Sequence, residues 1–155
     1  MFKKVCIIGC GLIGSSLARA IKKNGLSSKI VSSNRSDSVN KKVIELKIVD
    51  DSNSDTKKMA DGSDLIIIAT PLSSYESVIL KIKDSLKNGT ILTDVGSVKE
   101  NVISLVEKAV PENVSWISSH PIAGTEESGP DAGFSELFQN RWCILTPSKK
   151  AKEKD

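Results

Sequence analysis

Several short clusters in this chain combine residue types at spacings that can do chemistry. Gly9-Cys10-Gly11-Leu12-Ile13-Gly14 sets three glycines at the GxGxxG spacing. Such a turn lets backbone approach a pyrophosphate, and the following helix offers its unpaired N–H groups to the anion. Ser33-Asn34-Arg35-Ser36 groups hydroxyls and an amide around a guanidinium that can grip a phosphate bidentately. Ser97 lies in Asp94-Val95-Gly96-Ser97-Val98-Lys99, and His120, the only histidine, lies in Ser119-His120-Pro121. An imidazole that titrates near neutrality suits abstraction of a proton from a hydroxyl during hydride transfer.

These clusters need elements to position them. Val5-Cys6-Ile7-Ile8 is short and rich in β-branched residues, as expected of a strand buried on both faces, and Leu17, Ala18 and Ile21 recur at helical spacing up to a stop at Asn24-Gly25. In a strand–turn–helix of this kind, Gly9 makes the tight turn, Gly11 clears the approach to the pyrophosphate, and Gly14 allows close packing of helix on strand. Leu12 and Ile13, inside the turn, join the cofactor-site candidates. Further strands are expected at Lys29–Ser33, Ile48–Asp50, Asp64–Ala69, Thr90–Asp94, Val114–Ser118 and Trp142–Thr146. Helices are expected from Asp37 or Ser38 to Leu46, over Thr56–Ala60, from Ser73 to Asn88, after Ser97 and over Phe134–Phe138. Ser73 with Glu76, and Ser97 with Glu100, have capping-box spacing, so Ser97 has a plain structural role open to it as well. Thr70-Pro71 must turn the chain at the end of its strand, and His120 is expected in a loop just past a parallel strand. The alternation of strands and helices predicts an α/β fold with a doubly wound, mostly parallel sheet in a single domain.

The loop after the second strand bears on cofactor choice. An NAD site places an acidic residue about 20 positions past the glycines, on the adenosine ribose. Here Asn34 and Arg35 stand in its place, and Ser33 and Ser36 can add donors, a set suited to the 2′-phosphate of NADP. A surface arginine beside a helix cap is the plainer alternative, and Asp37 can still serve NAD.

Bulk properties narrow the rest. The 155 residues are 39% hydrophobic and 26% charged, the proportions of a globular domain with an ordinary core. No stretch approaches the ~20 apolar residues of a membrane span, and a cytoplasmic location is expected. The net charge of +3 arises from scattered lysines and a charged tail over 148–155. With few aromatics among them, nucleic-acid binding has no support. Cys6, Cys10 and Cys143 are too few and wrongly spaced for a zinc site or a disulfide framework, so no metal is expected.

Gly9 to Gly14, Ala69-Thr70-Pro71, Asp94 to Lys99 and His120-Pro121-Ile122-Ala123-Gly124-Thr125-Glu126, occurring in that order, closely resemble the prephenate and arogenate dehydrogenases of tyrosine biosynthesis. The resemblance runs to about Pro147 and covers the family's N-terminal cofactor domain, a Rossmann fold. It implies an NAD(P)-dependent oxidative decarboxylation, in which the ring hydroxyl becomes a carbonyl, hydride leaves for the nicotinamide, and carbon dioxide is lost. Carried over, His120 accepts the hydroxyl proton and Ser97 orients that hydroxyl and the nicotinamide. Gly124 and Thr125 line the substrate pocket, and Thr70 and Pro71 flank the cofactor. The Ser33-Asn34-Arg35 loop looks like that of NADP-using members. Family members continue into a helical domain that dimerises them and supplies an arginine for the ring carboxylate, so residues 1–147 by themselves are expected to bind nucleotide and turn over weakly. A 3-hydroxyacid-type dehydrogenase and a non-enzymatic nucleotide-sensing module are the alternative readings.

Overall fold

The structure, a computed structural model, describes residues 1–149 and 151. It is a seven-stranded sheet in the order β3-β2-β1-β4-β5-β6-β7. The strands are β1 (Val5–Ile8), β2 (Ile30–Ser33), β3 (Asp51–Ser52), β4 (Leu65–Ile68), β5 (Ile91–Asp94), β6 (Ser115–Pro121) and β7 (Cys143–Pro147). The helices are α1 (Leu12–Lys23), α2 (Asp37–Glu45), α3 (Thr56–Ala60), α4 (Tyr75–Ile82) and α5 (Glu100–Ala109). All strands pair in parallel except β7, which runs antiparallel to β6. The chain therefore forms the mostly parallel, doubly wound α/β domain that its alternating pattern predicts. Strand order reverses between β1 and β4, and the crevice past the carboxyl ends of strands at such a point is where open α/β sheets take ligands.

Two apolar cores flank the sheet. On one side Ile8, Ile66, Ile68 and Leu92 pack with Val78, Ile79 and Ile82 of α4 and with Val106 of α5. On the other, Val5 and Ile7 pack with Ala18 and Ile21 of α1 and Val43 of α2. β1 contributes to both cores, which is why its residues are continuously apolar rather than alternating.

Several expectations need correction. The apolar pair Ile48-Val49 is not a strand: it is buried between α2 and the sheet, and β3 begins only at Asp51. Lys47 enters this connector at φ 54°, so α2 has already ended and the pair acts as an apolar plug. Neither capping box forms. A single 3₁₀ turn over Leu72–Ser74 precedes α4, the N-cap is Ser74, and a second 3₁₀ turn, Lys83–Ser85, replaces the helix expected up to Asn88. The N-cap of α5 is Lys99, not Ser97. Phe134–Phe138 forms successive turns, with Leu137 and Gln139 N–H groups bonded three residues back, rather than a helix. The charged tail expected over 148–155 lies mostly outside the described residues, although Ser148 is buried and donates its N–H to the Trp116 carbonyl at 3.1 Å.

Candidate active site

The glycine turn has the geometry its spacing predicts. Gly9 stands at φ 95°, and a β-carbon there would lie 2.8 Å from the Ala69 carbonyl oxygen and 3.0 Å from Thr70 Cγ2. A β-carbon on Gly14 would stand 2.0 Å from the Gly9 carbonyl oxygen. At Gly11 a β-carbon would meet nothing within 4 Å. Gly9 and Gly14 are thus required by the protein's own packing, whereas Gly11 borders open space. Gly11 is also the N-cap of α1, with no side-chain capping bond and no acidic residue in the first turn. The first N–H groups and the positive end of the helix dipole are left to attract an anion. Leu12 is buried and Ile13 half-buried, so these two fix the turn through packing. Across the crevice the Thr70 hydroxyl is buried with no hydrogen-bond partner among the described residues, and Pro71 beside it is exposed. A cradle open at one glycine, an uncapped helix and an orphan hydroxyl fit a dinucleotide at this edge.

The adenosine end divides the sequence candidates. Asn34 is buried, and its carboxamide oxygen accepts the Cys10 N–H at 2.6 Å. Its amide nitrogen donates to Asn40 Oδ1 at 3.0 Å, with longer bonds to Ser32 and Ser52. Asn34 therefore fastens the glycine turn to β2, β3 and α2 instead of presenting itself to a ligand. Ser33 is likewise buried, donating to Thr56 Oγ1 at 3.0 Å. Arg35 and Ser36 are exposed; the Ser36 hydroxyl is paired with that of Ser38 at 2.6 Å, whereas the Arg35 guanidinium has no hydrogen bond or ion pair among the described residues.

Motifs distant in sequence meet along the edge in a continuous line. Thr70 touches the Gly9 turn, as the Gly9 distances show. Leu72 and Tyr75, just past Pro71, crowd Gly96, where a β-carbon would be 2.6 Å from Leu72 Cδ2 and 3.1 Å from the Tyr75 hydroxyl. Asp94, fully buried at the end of β5, ties this loop to β6. Its carboxylate accepts from Lys99 Nζ at 2.8 and 3.0 Å, the Tyr75 hydroxyl at 3.1 Å, the Gly96 N–H at 3.0 Å, the Ser118 hydroxyl at 2.8 Å and the Ser119 N–H at 3.0 Å. Burial, and then the Asp94 charge, push the Tyr75 phenol above its ordinary range, so it remains a donor. Ser97 is exposed next to this knot. Asp94 and Lys99 were visible in the sequence only as members of a motif. Neither was singled out there; the signal available was a carboxylate ending a strand five residues before a lysine at a helix start.

His120 is half-buried and lies within β6, opposite Ile144 of β7, not in a loop. The parallel ladder with β5 ends at Thr93↔Ile117. β6 runs on past it because β7 pairs with its far side, and that extension carries His120 to the ligand edge. Beyond it, Gly124 and Thr125 line a cavity of about 430 Å³ together with Ile122, Phe134, Leu137 and Arg141. The outer wall of that cavity hangs from α1. The Phe134 N–H donates to the Ser16 hydroxyl at 3.1 Å, Glu136 pairs with Lys23, and Gly133 has no room for a side chain against Ser15.

Residues 17–155 match the family described as "Prephenate dehydrogenase, nucleotide-binding domain". The cyclohexadienyl dehydrogenase of Zymomonas mobilis is 38% identical over 147 residues, which are 95% of this chain and 50% of that protein. The crystal structure of prephenate dehydrogenase from A. aeolicus in complex with hydroxyphenyl propionate and NAD+ superimposes with a TM-score of 0.92 at 28% identity, covering 99% of this chain and 54% of that one. Synechocystis arogenate dehydrogenase superimposes with a TM-score of 0.84, also at 28% identity, covering 97% and 52%. The chain spans about half the length of the relatives it matches.

Proposed function

Because the chain belongs to the family of prephenate dehydrogenase nucleotide-binding domains, we propose that it binds a nicotinamide dinucleotide, with NADP preferred, and carries the acid–base groups for oxidative decarboxylation of prephenate or arogenate. The observation that supports this most is the cradle formed by Gly9, Gly11 and Gly14 at the uncapped start of α1, on the same sheet edge as Ser97 and His120. The N–H groups of the first turn of α1 hold the pyrophosphate, and the Thr70 hydroxyl, with Pro71 beside it, borders the bound nucleotide. Arg35 takes the 2′-phosphate as a bidentate donor. A bound nicotinamide supplies the hydride acceptor.

The protein's own part is to hold and move a proton. The His120 imidazole accepts the proton of the ring hydroxyl as that carbon is oxidised. Ser97, free of any capping duty, presents its hydroxyl to fix the orientation of the same group. Gly124 and Thr125 border the cavity that takes the ring, and Ile122, Phe134 and Leu137 supply apolar contacts to it.

Calorimetric titration of the chain with NADP and with NAD tests this reading, followed by a search for nicotinamide reduction with prephenate and with arogenate. NADP is expected to bind more tightly, with slow turnover. NAD binding at least as tightly would remove Arg35 from its role, and binding of neither nucleotide would overturn the reading.

A further inference from the structure

The end of β6 poses a mechanical problem. Past Ile117 the strand has lost its β5 partner, yet the next residues lead directly to His120. Two side chains take over the missing ladder. The Ser119 N–H donates to Asp94 Oδ1 at 3.0 Å, and the Ser119 carbonyl accepts a short hydrogen bond from Lys99 Nζ. The Ser119 hydroxyl closes back on the Asp94 carbonyl. The Ser119 peptide is therefore held by an ion pair where β5 would otherwise hold it.

Lys99 is an unexpected residue for its position. It is the N-cap of α5, where the helix dipole disfavours a cation. Its Nζ nonetheless folds back to the fully buried Asp94 carboxylate, and the Lys99 side chain is only 18% exposed. A buried carboxylate must be paired and fully hydrogen-bonded, and the Asp94–Lys99 pair satisfies that while joining β5, the Ser97 loop and β6.

We propose that Lys99 is a positioning residue: acting with Asp94, it clamps the Ser97 loop to the overhanging end of β6 and so sets the separation between the Ser97 hydroxyl and the His120 imidazole. The proposal rests on the assignment of those two groups to the reacting edge made above. Lys99 acts through those two groups, its Nζ being committed to the Asp94 carboxylate and the Ser119 carbonyl.

His120, as the only histidine, gives one pair of imidazole C–H signals, which report its surroundings without any need for turnover. In Lys99→Met these signals are displaced and broadened while nucleotide affinity at the glycine turn is retained, and in Lys99→Arg they return toward the parent positions. Signals in Lys99→Met that superimpose on the parent, or an arginine variant as displaced as the methionine one, overturn the clamp. If Lys99→Met does not fold, Ser118→Ala decides. That variant removes a donor to Asp94 on β6 and keeps the ammonium, so displaced His120 signals support the clamp and unmoved ones overturn it. Nucleotide added to the parent chain tests the underlying reading separately, because a His120 signal indifferent to NADP and NAD counts against the site and leaves the clamp result standing.

Discussion

Gly14 and Gly9 lie so close that a β-carbon on the first would stand 2.0 Å from the carbonyl oxygen of the second, while a β-carbon on Gly11, between them in sequence, would meet nothing within 4 Å. Packing and ligand approach are thereby assigned to different glycines of one turn, and mutation separates them. Gly14→Ala forces α1 away from β1 and is expected to cost about 3 kcal/mol, the upper end for overpacking. Gly11→Ala is expected to cost only about 1 kcal/mol of stability, the penalty for alanine at an N-cap, since its φ of −75° suits alanine and nothing crowds the site, yet to weaken nucleotide binding about tenfold or more, or roughly 1.4 kcal/mol. Urea denaturation and calorimetric titration of the two variants check this, and equal stability losses would refute the division.

Arg35 is the exposed cation at the adenosine end. Arg35→Ala is expected to lower NADP affinity by about 10- to 100-fold, in keeping with loss of a charge-assisted pair worth roughly 1.5–3 kcal/mol. NAD affinity should change little. Competitive titration with both nucleotides gives the ratio, and a parallel drop for NAD would mean that Arg35 meets something other than the 2′-phosphate.

His120→Asn keeps a polar group opposite Ile144 but removes the proton acceptor. Whatever rate the chain supports with prephenate or arogenate is expected to fall about 10²- to 10⁴-fold, with nucleotide affinity unchanged. Following nicotinamide absorbance beside calorimetry tells the two effects apart. A nucleotide-sensing module would show no effect on either.

The thiols give a pH dependence with a definite sign. Burial pushes Cys6 up to about 12 and Cys10 to about 11, from an ordinary value of 9.0. Folding therefore retains protons that the unfolded chain gives up above about pH 9. Their contribution to stability is whole below pH 9.0 and is lost as pH rises towards 11 and 12. Urea midpoints should fall across that alkaline range, and less steeply in Cys6→Ala. At neutral pH a thiol reagent should modify the exposed Cys143 quickly and the buried pair only on unfolding.

Much of the candidate site was legible in the residues because its determinants are local. GxGxxG after a four-residue apolar strand dictates strand, turn and helix through sterics confined to neighbouring residues, and the conformations of Gly9, Gly11 and Gly14 follow. The small helix Thr56–Ala60 emerged as expected, its Asp55 cap accepting the Lys58 N–H at 3.0 Å. The capping boxes at Ser73 and Ser97 did not, because contacts from outside the segment set those helix starts. Tyr75 is drawn inward to Asp94, and Lys99 is pulled toward β6.

From sequence alone came the α/β class, the glycine cradle, the exposed guanidinium at Arg35 and the family, since each rests on residue types at short spacing. Tertiary structure decided that Asn34 is an internal fastener, that His120 rides on a strand, that the Phe134–Phe138 segment is a wall hung from α1, and that Lys99 and Asp94 join two motifs. The physical reason is one of range: backbone sterics and helical periodicity act over a few residues, whereas a buried carboxylate or amide takes whichever donors the folded chain brings to it. Ser118 and Ser119 reach Asp94 across 24 and 25 residues, a distance over which spacing in the sequence carries no information about contact.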